Sequence, residues 1–289
     1  MNALLVIDKP QGMTSHDVVA RVRRICSERS VGHLGTLDPM ATGVLPLVLG
    51  KMTRLAQFFS DAEKTYEGTL RFGYATNTYD AEGEAVSAPQ LLRADLPLLD
   101  QLAGPLRGAI QQVPPPYSAK KINGVPAYKL ARKEVVVELK PVEVDVQEFS
   151  LLALNGNDLS FRATVSAGTY MRSLAHELGQ LAGCGAHLAS LRRTRAGVFG
   201  VEQAVPLQEL EARISSGEHV AIHPRNILPE MPSVTADATA MSRLRHGNAV
   251  NLPELSRAKF VKVFHGQTEL VAIASRIAGT LFQPKIVLC

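Results

Sequence analysis

At 289 residues the chain is long enough for one large domain and a small one, and 46 % hydrophobic against 20 % charged residues suit a globular fold with a sizeable core. A formal net charge of +4 is too small to imply a nucleic-acid partner by itself, and no apolar run reaches the length that spans a bilayer. The apolar run near Met1 is short and lacks a basic lead, so no signal peptide is expected and the chain is assigned to the cytoplasm. Cys26, Cys184 and Cys289 are scattered and odd in number, and the eight histidines lack metal-ligand spacing. Neither a disulfide framework nor a metal site is expected. His176 and Glu177 are neighbours without an HExxH pattern and read as surface helix.

Ala3 to Ile7 reads as a short buried strand and Asp8-Lys9-Pro10-Gln11-Gly12 as a turn. Ser15 is placed as a helix N-cap, because Val18, Val19, Val22 and Ile25 then recur at helical spacing, with Arg21, Arg23 and Arg24 on the other faces. The next stretch, VGHLGTLDPMATGVLPLVLG from Val31 to Gly50, carries four glycines and two prolines around one acid, Asp38, with His33 five residues upstream. Pro39 pushes Asp38 out of the α region, so the acid stands on a shaped loop. VLPLVLG behind it reads as a buried strand that anchors the loop. On residue types alone Asp38-Pro39 is also a common turn, and only the full string argues for more.

Thr53 to Phe59 is expected to be helical, and Lys64 to Tyr74 alternates as a strand with Tyr66 near its start. Taken alone, Tyr66 is half-buried packing. Asn77 to Pro89 is turn-rich, and Leu96 to Leu106 suits a helix. From Gln112 to Arg132, QVPPPYSAKKINGVPAYKLAR sets three consecutive prolines and two tyrosines, Tyr117 and Tyr128, among lysines. Basic residues interleaved with aromatics suit a loop folding over RNA, and a solvated linker is the alternative. Lys120, Lys121, Lys129, Arg132 and Lys133 fall within fourteen residues, and Arg192, Arg193 and Arg195 within four. Such concentrated positive charge is the footprint expected of phosphate contact, although a solvated face explains many single clusters.

Val135 to Leu154 and Leu159 to Val165 read as two long strands around an Asn155-Gly156-Asn157 hairpin tip. In SAGTYMRSLAHELG, residues Met171, Leu174, Ala175, Leu178 and Leu181 make an amphipathic helix. Tyr170 and Arg172 stand at its start, where the helix dipole disfavours a cation, so a negative group is expected to compensate Arg172. Asp38 is the candidate. His187 to Phe199 is a basic strand in which Leu191, taken alone, is a core leucine, and Pro206 to Ser215 reads as a surface helix. The pattern changes at Pro229 to Pro232, dividing the chain into 1–230 and 231–289. The second part holds a helix, Ala238 to Arg245, a turn at His246-Gly247-Asn248, and strands around Phe260 to Phe264, Leu270 to Ala274 and Lys285 to Leu288.

GHLGTLDPMATGVLP resembles the active-site motif of the TruB family of tRNA pseudouridine synthases, and IDKPQGMTS, KTYEGTLRFG and SAGTYMRSLAHELG are similar to further segments of that family. The resemblance is strongest over residues 3–228. It implies an α+β pseudouridine synthase fold, with a mixed, mainly antiparallel central sheet flanked by helices. LRHGNAV and the closing strands look like a small β-rich, PUA-type RNA-binding domain. The implied reaction is isomerisation of uridine 55 to pseudouridine in the T-arm of tRNA, with no cofactor. Asp38 would be the catalytic nucleophile, meeting a uridine flipped out of the stack, and Arg172 its partner. Tyr170 would serve proton transfer or packing under the base. Tyr66 would stack on the target base, Leu191 line its pocket, and His33 fill the space it leaves. Residues 112–133 resemble the family's RNA-clamping insertion, with Lys120 and Lys121 in it, and Lys9 and Pro10 would buttress the catalytic loop. Two departures stand out. Ala167 sits where a lysine often occurs, and Lys133-Glu134 follows the AR where the family usually has Gly.

Two other readings compete. A guide-RNA-dependent pseudouridine synthase subunit would share the Asp38 loop, although the proline-rich insertion and short termini favour a stand-alone monomer that needs no protein partner. A non-catalytic tRNA-binding or folding protein would have no need of the acid.

Overall fold

A computed structural model describes residues 1–86, 88–118, 120–122, 124–127 and 139–288, the side chains of residues 121, 122, 125 and 126 excepted. The chain opens with β1 (Ala3–Lys9), α1 (Ser15–Ile25), β2 (Val31–His33), β3 (Thr42–Leu49) and β4 (Lys64–Phe72). There follow α2 (Leu96–Leu102), β5 (Gly108–Gln112), β6 (Lys121–Ile122), β7 (Val125–Pro126), β8 (Val142–Asn155) and β9 (Asp158–Val165). Next come α3 (Met171–Leu181), β10 (Ala186–Ala196), β11 (Phe199–Gly200), β12 (Val205–Pro206) and α4 (Leu210–Ser215). The last part contains β13 (Ser233–Thr235), α5 (Ala238–Arg245), β14 (Val250–Asn251), β15 (Phe260–His265), β16 (Glu269–Ala278) and β17 (Leu281–Val287).

The main sheet runs β12-β1-β3-β10-β4-β9-β8-β5, with β2 added to β3 and β11 to β10. Its β1–β12 and β3–β10 pairs are parallel and the others antiparallel, so the sheet is mixed and mainly antiparallel. One face is covered by helices: Val18, Val19 and Val22 of α1, Leu99 of α2, and Leu174, Ala175 and Leu178 of α3 join Leu5, Ile7, Leu45, Tyr66, Leu70 and Leu191 in one buried cluster. The opposite face of β1 and β3 is covered by the second sheet, ordered β13-β15-β16-β17-β14. There Leu4, Val6, Val44 and Val48 pack with Phe264, Leu270, Ile273 and Ile286. Burial on both faces explains why β1 and β3 are near-continuous apolar runs rather than alternating ones. Among the described residues no helix is long and apolar enough to cross a membrane.

Several local expectations change. The N-cap of α1 is Thr14 rather than Ser15, in a capping box with Asp17. Gly50–Phe58 is a 3-10 helix, and the helix expected to reach Leu106 ends at Leu102, followed by a separate 3-10 turn over Gly104–Leu106. Pro206 lies in β12 beside β1, so the helix expected from it starts at Leu210. The strand expected from Val135 begins at Val142. Residues 135–138 lie outside the described residues, as do Tyr128, Lys129, Arg132, Lys133 and Cys289. His176 is half-buried rather than on the surface, its ring stacked on Tyr79.

Candidate active site

Asp38 sits on the loop between β2 and β3, in a turn closed by the Ala41 amide donating to the Asp38 carbonyl at 3.1 Å. Two buried cations brace this loop from either side. Lys9, 0 % exposed at the end of β1, donates from Nζ to the carbonyls of Pro10 (2.9 Å), Met13 (2.6 Å) and Pro39 (3.2 Å). Arg193, 1 % exposed on β10, donates to the carbonyls of Val44 (2.7 Å), Thr36 (3.4 Å) and Gly35 (3.1 Å). A buried charge is tolerated when it is hydrogen-bonded, and here the acceptors are the backbone on each side of the acid. Burial pushes the Lys9 ammonium below its ordinary pKa, and the nearby Asp38 charge opposes that shift. A third tie comes from Ser15, whose hydroxyl accepts from the Leu37 amide at 2.8 Å and donates to the Leu37 carbonyl at 3.1 Å. Gly43 lets β3 run against β10, because a Cβ there, at φ +98°, would strike the Arg193 carbonyl.

Arg172 reaches Asp38 from the first turn of α3 in a two-point contact, Nε to Oδ2 at 2.9 Å and Nη2 to Oδ1 at 3.2 Å. The same guanidinium donates to the carbonyls of Thr78 (3.1 Å) and Tyr117 (3.0 Å), and its Nη1 lies 3.6 Å from Asp80 Oδ2. The side chains of Arg172 and Asp80 are 7 % and 6 % exposed, whereas that of Asp38 is 37 % exposed. Asp80 is therefore an internal counter-charge, and Asp38 is the carboxylate open to a ligand.

Tyr170 occupies the N-cap position of α3. Its backbone is clamped by Gln112, which accepts from the Tyr170 amide at 2.8 Å and donates to the Tyr170 carbonyl at 3.2 Å. Burial pushes the Tyr170 phenol above its ordinary pKa. Tyr66 of β4 and Leu191 of β10 belong to the same buried cluster as Leu37, Met40 and Met171, which flank Asp38 and Arg172 in sequence. His33, on β2, sets its ring edge-on to His16 with centroids 5.5 Å apart, and its Nδ1 is buried without a hydrogen-bond partner among the described residues. Burial, with His16 and Arg193 nearby, pushes the His33 imidazole below its ordinary pKa. Arg192 is placed elsewhere. Strand alternation turns it to the face opposite Leu191, where it forks onto Asp8 at 3.0 and 2.7 Å. Lys120 is exposed, and the side chain of Lys121 lies outside the described residues. Among the described residues no three His, Cys, Asp or Glu side chains converge as a metal site requires.

Residues 23–171 match the family described as TruB family pseudouridylate synthase (N terminal domain), and residues 172–229 match the tRNA pseudouridylate synthase B C-terminal domain. A protein from Solibacter usitatus (strain Ellin6076), named tRNA pseudouridine synthase B, is 45 % identical over 293 residues, covering 100 % of both chains. The chain belongs to the TruB family of pseudouridylate synthases. A second family member so named, from Syntrophotalea carbinolica, is 41 % identical over 248 residues, 86 % of this chain and 81 % of that one. Among solved structures, a chain of an H/ACA RNP bound to a substrate RNA containing 2'-deoxyuridine has a TM-score of 0.71 and 26 % identity, covering 99 % of this chain and 85 % of its own. A chain of a Cbf5-Nop10-Gar1 complex matches with the same TM-score and coverages at 28 % identity. The TruB chain thus has the pseudouridine synthase fold, α+β, with a β-rich C-terminal part.

Three residues of this TruB site were not legible beforehand: Asp80, Gln112 and Arg193. Asp80 lies in NTYDAEGE, which reads as a turn whether or not its acid is buried. The signal in the sequence is an arginine in the first turn of a helix, against the dipole, which calls for negative partners without limiting them to Asp38.

Proposed function

We propose that this TruB-family chain converts uridine to pseudouridine in tRNA, at position 55 of the T-arm, acting alone with Asp38 as nucleophile. The observation that carries the reading is the two-point Arg172 contact on a carboxylate that is itself 37 % exposed. Relatives named tRNA pseudouridine synthase B support tRNA as the substrate. The reaction breaks N1–C1′, turns the uracil over and joins C5 to C1′; C5 gives up its proton and N1 gains one, so the product is an isomer and no redox partner or group donor is consumed. An ionised Asp38 can add to the base or to the sugar and divide one hard step into two easier ones. Its direction is held by Arg172, whose planar fork matches a carboxylate.

A stacked base cannot reach Asp38, so the uridine is extruded at a cost of roughly a few kcal/mol. Stacking on Tyr66 returns on the order of 1–3 kcal/mol of that. Leu191 lines the base pocket, Tyr170 packs under the base or relays its proton, and His33 occupies the space the base vacates. Lys120 and Lys121, with the segment 112–133, contact phosphates. Arg192, its side chain 40 % exposed and paired with Asp8, adds a phosphate contact from the other face of the sheet. Residues 1–230 form the catalytic part, and 231–289 add RNA-binding surface.

The test is tritium release from C5-labelled uridine in a bare tRNA transcript. Wild type is expected to release one tritium per tRNA, and Asp38→Asn, or a transcript with cytidine at position 55, none. No release from wild type would overturn the reading. Release only after a guide RNA is added would favour a guide-dependent subunit, the alternative suggested by structural neighbours that come from H/ACA complexes.

A further inference from the structure

Tyr79 has no part in the chemistry proposed above, yet its backbone is held at φ +65°, a left-handed conformation unfavourable to a bulky side chain. Such strain persists only where surrounding contacts over-determine it. Hydrogen bonds fix the turn's backbone, among them Thr76 Oγ1 donating to the Asp80 carbonyl at 2.7 Å and the Ala81 amide to the Leu188 carbonyl at 3.0 Å, and its side-chain contact is a ring stack: the Tyr79 and His176 rings lie 3.8 Å apart between centroids and 8° from parallel. The Tyr79 carbonyl accepts from the Leu188 amide at 3.0 Å, and its amide donates to the Thr76 carbonyl at 3.2 Å.

The two residues flanking Tyr79 are both Arg172 partners. Thr78 supplies a carbonyl at 3.1 Å from Nη1, and Asp80 a carboxylate oxygen 3.6 Å from the same atom. They are also tied to each other, Thr78 Oγ1 donating to Asp80 Oδ1 at 2.6 Å. His176 stands four residues after Arg172 in α3, so both side chains lie on one helix face, one turn apart. The tripeptide 78–80 therefore meets that face twice, through a ring on His176 and through polar groups on Arg172. Among the described residues His176 Nδ1 is buried without a hydrogen-bond partner, and its ring meets Tyr79 face to face.

We infer that the Tyr79–His176 stack positions Arg172: it holds the strained turn that supplies two of the guanidinium's partners, and thereby sets the direction in which Arg172 presents Asp38. Tyr79 is a positioning residue that touches no substrate. The kinetic part of the test rests on the proposed function; the structural part does not.

Tyr79→Ala is expected to lower kcat on the order of 10²-fold through misalignment at a distance, with KM for tRNA held within about 2-fold. Tyr79→Phe and His176→Phe keep a stacked ring and are expected to retain kcat. His176→Ala should reproduce Tyr79→Ala, and the double variant should be no worse than either alone, since both remove one contact. An unchanged kcat in His176→Ala, which leaves the turn's own sequence intact, overturns the inference. So does a Tyr79→Phe as slow as Tyr79→Ala, or a parallel loss of kcat, KM and thermal stability in His176→Ala. If the wild type forms no pseudouridine, the proposed function fails and the inference is decided by a crystal structure of His176→Ala. An opened Arg172–Asp38 contact supports it, and a contact unchanged at 2.9 and 3.2 Å rejects it.

Discussion

Arg172 carries more of the site than its charge. Among the described residues four groups surround its guanidinium, Asp38, Asp80 and the carbonyls of Thr78 and Tyr117, and a planar fork addresses them together. Lysine at this position would keep the charge and lose the direction. Arg172→Lys is therefore expected to reduce pseudouridine formation on the order of 10²-fold, as a displaced reacting group does. Filter binding of tRNA should be largely retained; equal loss of turnover and binding would reject an orienting role. The Asp38–Arg172 pair was legible because a cation in the first turn of a helix calls for a compensating negative group. Asp80 was not, since one acid already met that demand in the sequence and burial leaves no mark on a turn-forming string. The sequence shows His33 only as five residues before Asp38; that strand alternation sets Arg192 and Leu191 on opposite faces follows from reading His187 to Phe199 as a strand, whereas the Asp8 partner of Arg192 does not.

The loop that presents Asp38 is held by elements, and each contributes through backbone acceptors. Lys9→Met would take the Nζ donor from the carbonyls of Pro10, Met13 and Pro39, of which Pro39 keeps the Gly12 amide at 2.9 Å. A buried acceptor left unpaired costs about 1–3 kcal/mol. The urea midpoint is expected to fall, and hydrogen exchange to quicken at the Gly12 amide, bonded to the Pro39 carbonyl, and at the Ala41 amide, bonded to the Asp38 carbonyl; exchange unchanged at both would mean the loop does not depend on this brace. The sequence placed Lys9 and Pro10 as support, and the helix that follows, but mistook its cap. Thr14 and Ser15 are both capping residues; the acid three residues after Thr14 completes a capping box and decides between them. Ser15 is thereby freed to tie Leu37 to α1. The Arg193 brace was beyond sequence reading, because its acceptors are backbone carbonyls, which every residue carries.

At the scale of the whole molecule the second sheet is packed onto the main one through Phe264, Leu270, Ile273 and Ile286. The β-rich character of this part was legible from its alternating strands. Its order was not, because β13 and β14 are too short to show a pattern and β13 pairs parallel with β15. Residues 231–289 hold seven Lys and Arg against three Asp and Glu, so the whole formal excess of +4 lies there. Lys285 sits over the rings of Phe58 and Phe260, and Lys259 over Phe260, at the seam between the sheets. If this surface meets tRNA phosphates, Lys259→Ala with Lys285→Ala should flatten the salt dependence of binding by up to about two counterions, and an unchanged slope would exclude it. Acid stability depends on histidines spread over the fold. Burial pushes His33, His176 and His187 below their ordinary value of 6.5. The unfolded chain therefore takes up these protons first, so stability present above 6.5 is lost as pH falls through the lowered folded values. Glu82 and Glu177, raised chiefly by burial, act in the opposite sense above 4.5 and soften the loss. The urea midpoint is thus expected to drop between about pH 7.5 and 5.5. His176→Phe keeps a ring against Tyr79 and removes one of the three protons, so its drop should be smaller. Identical pH profiles for the two proteins would show that His176 is not held neutral by the fold.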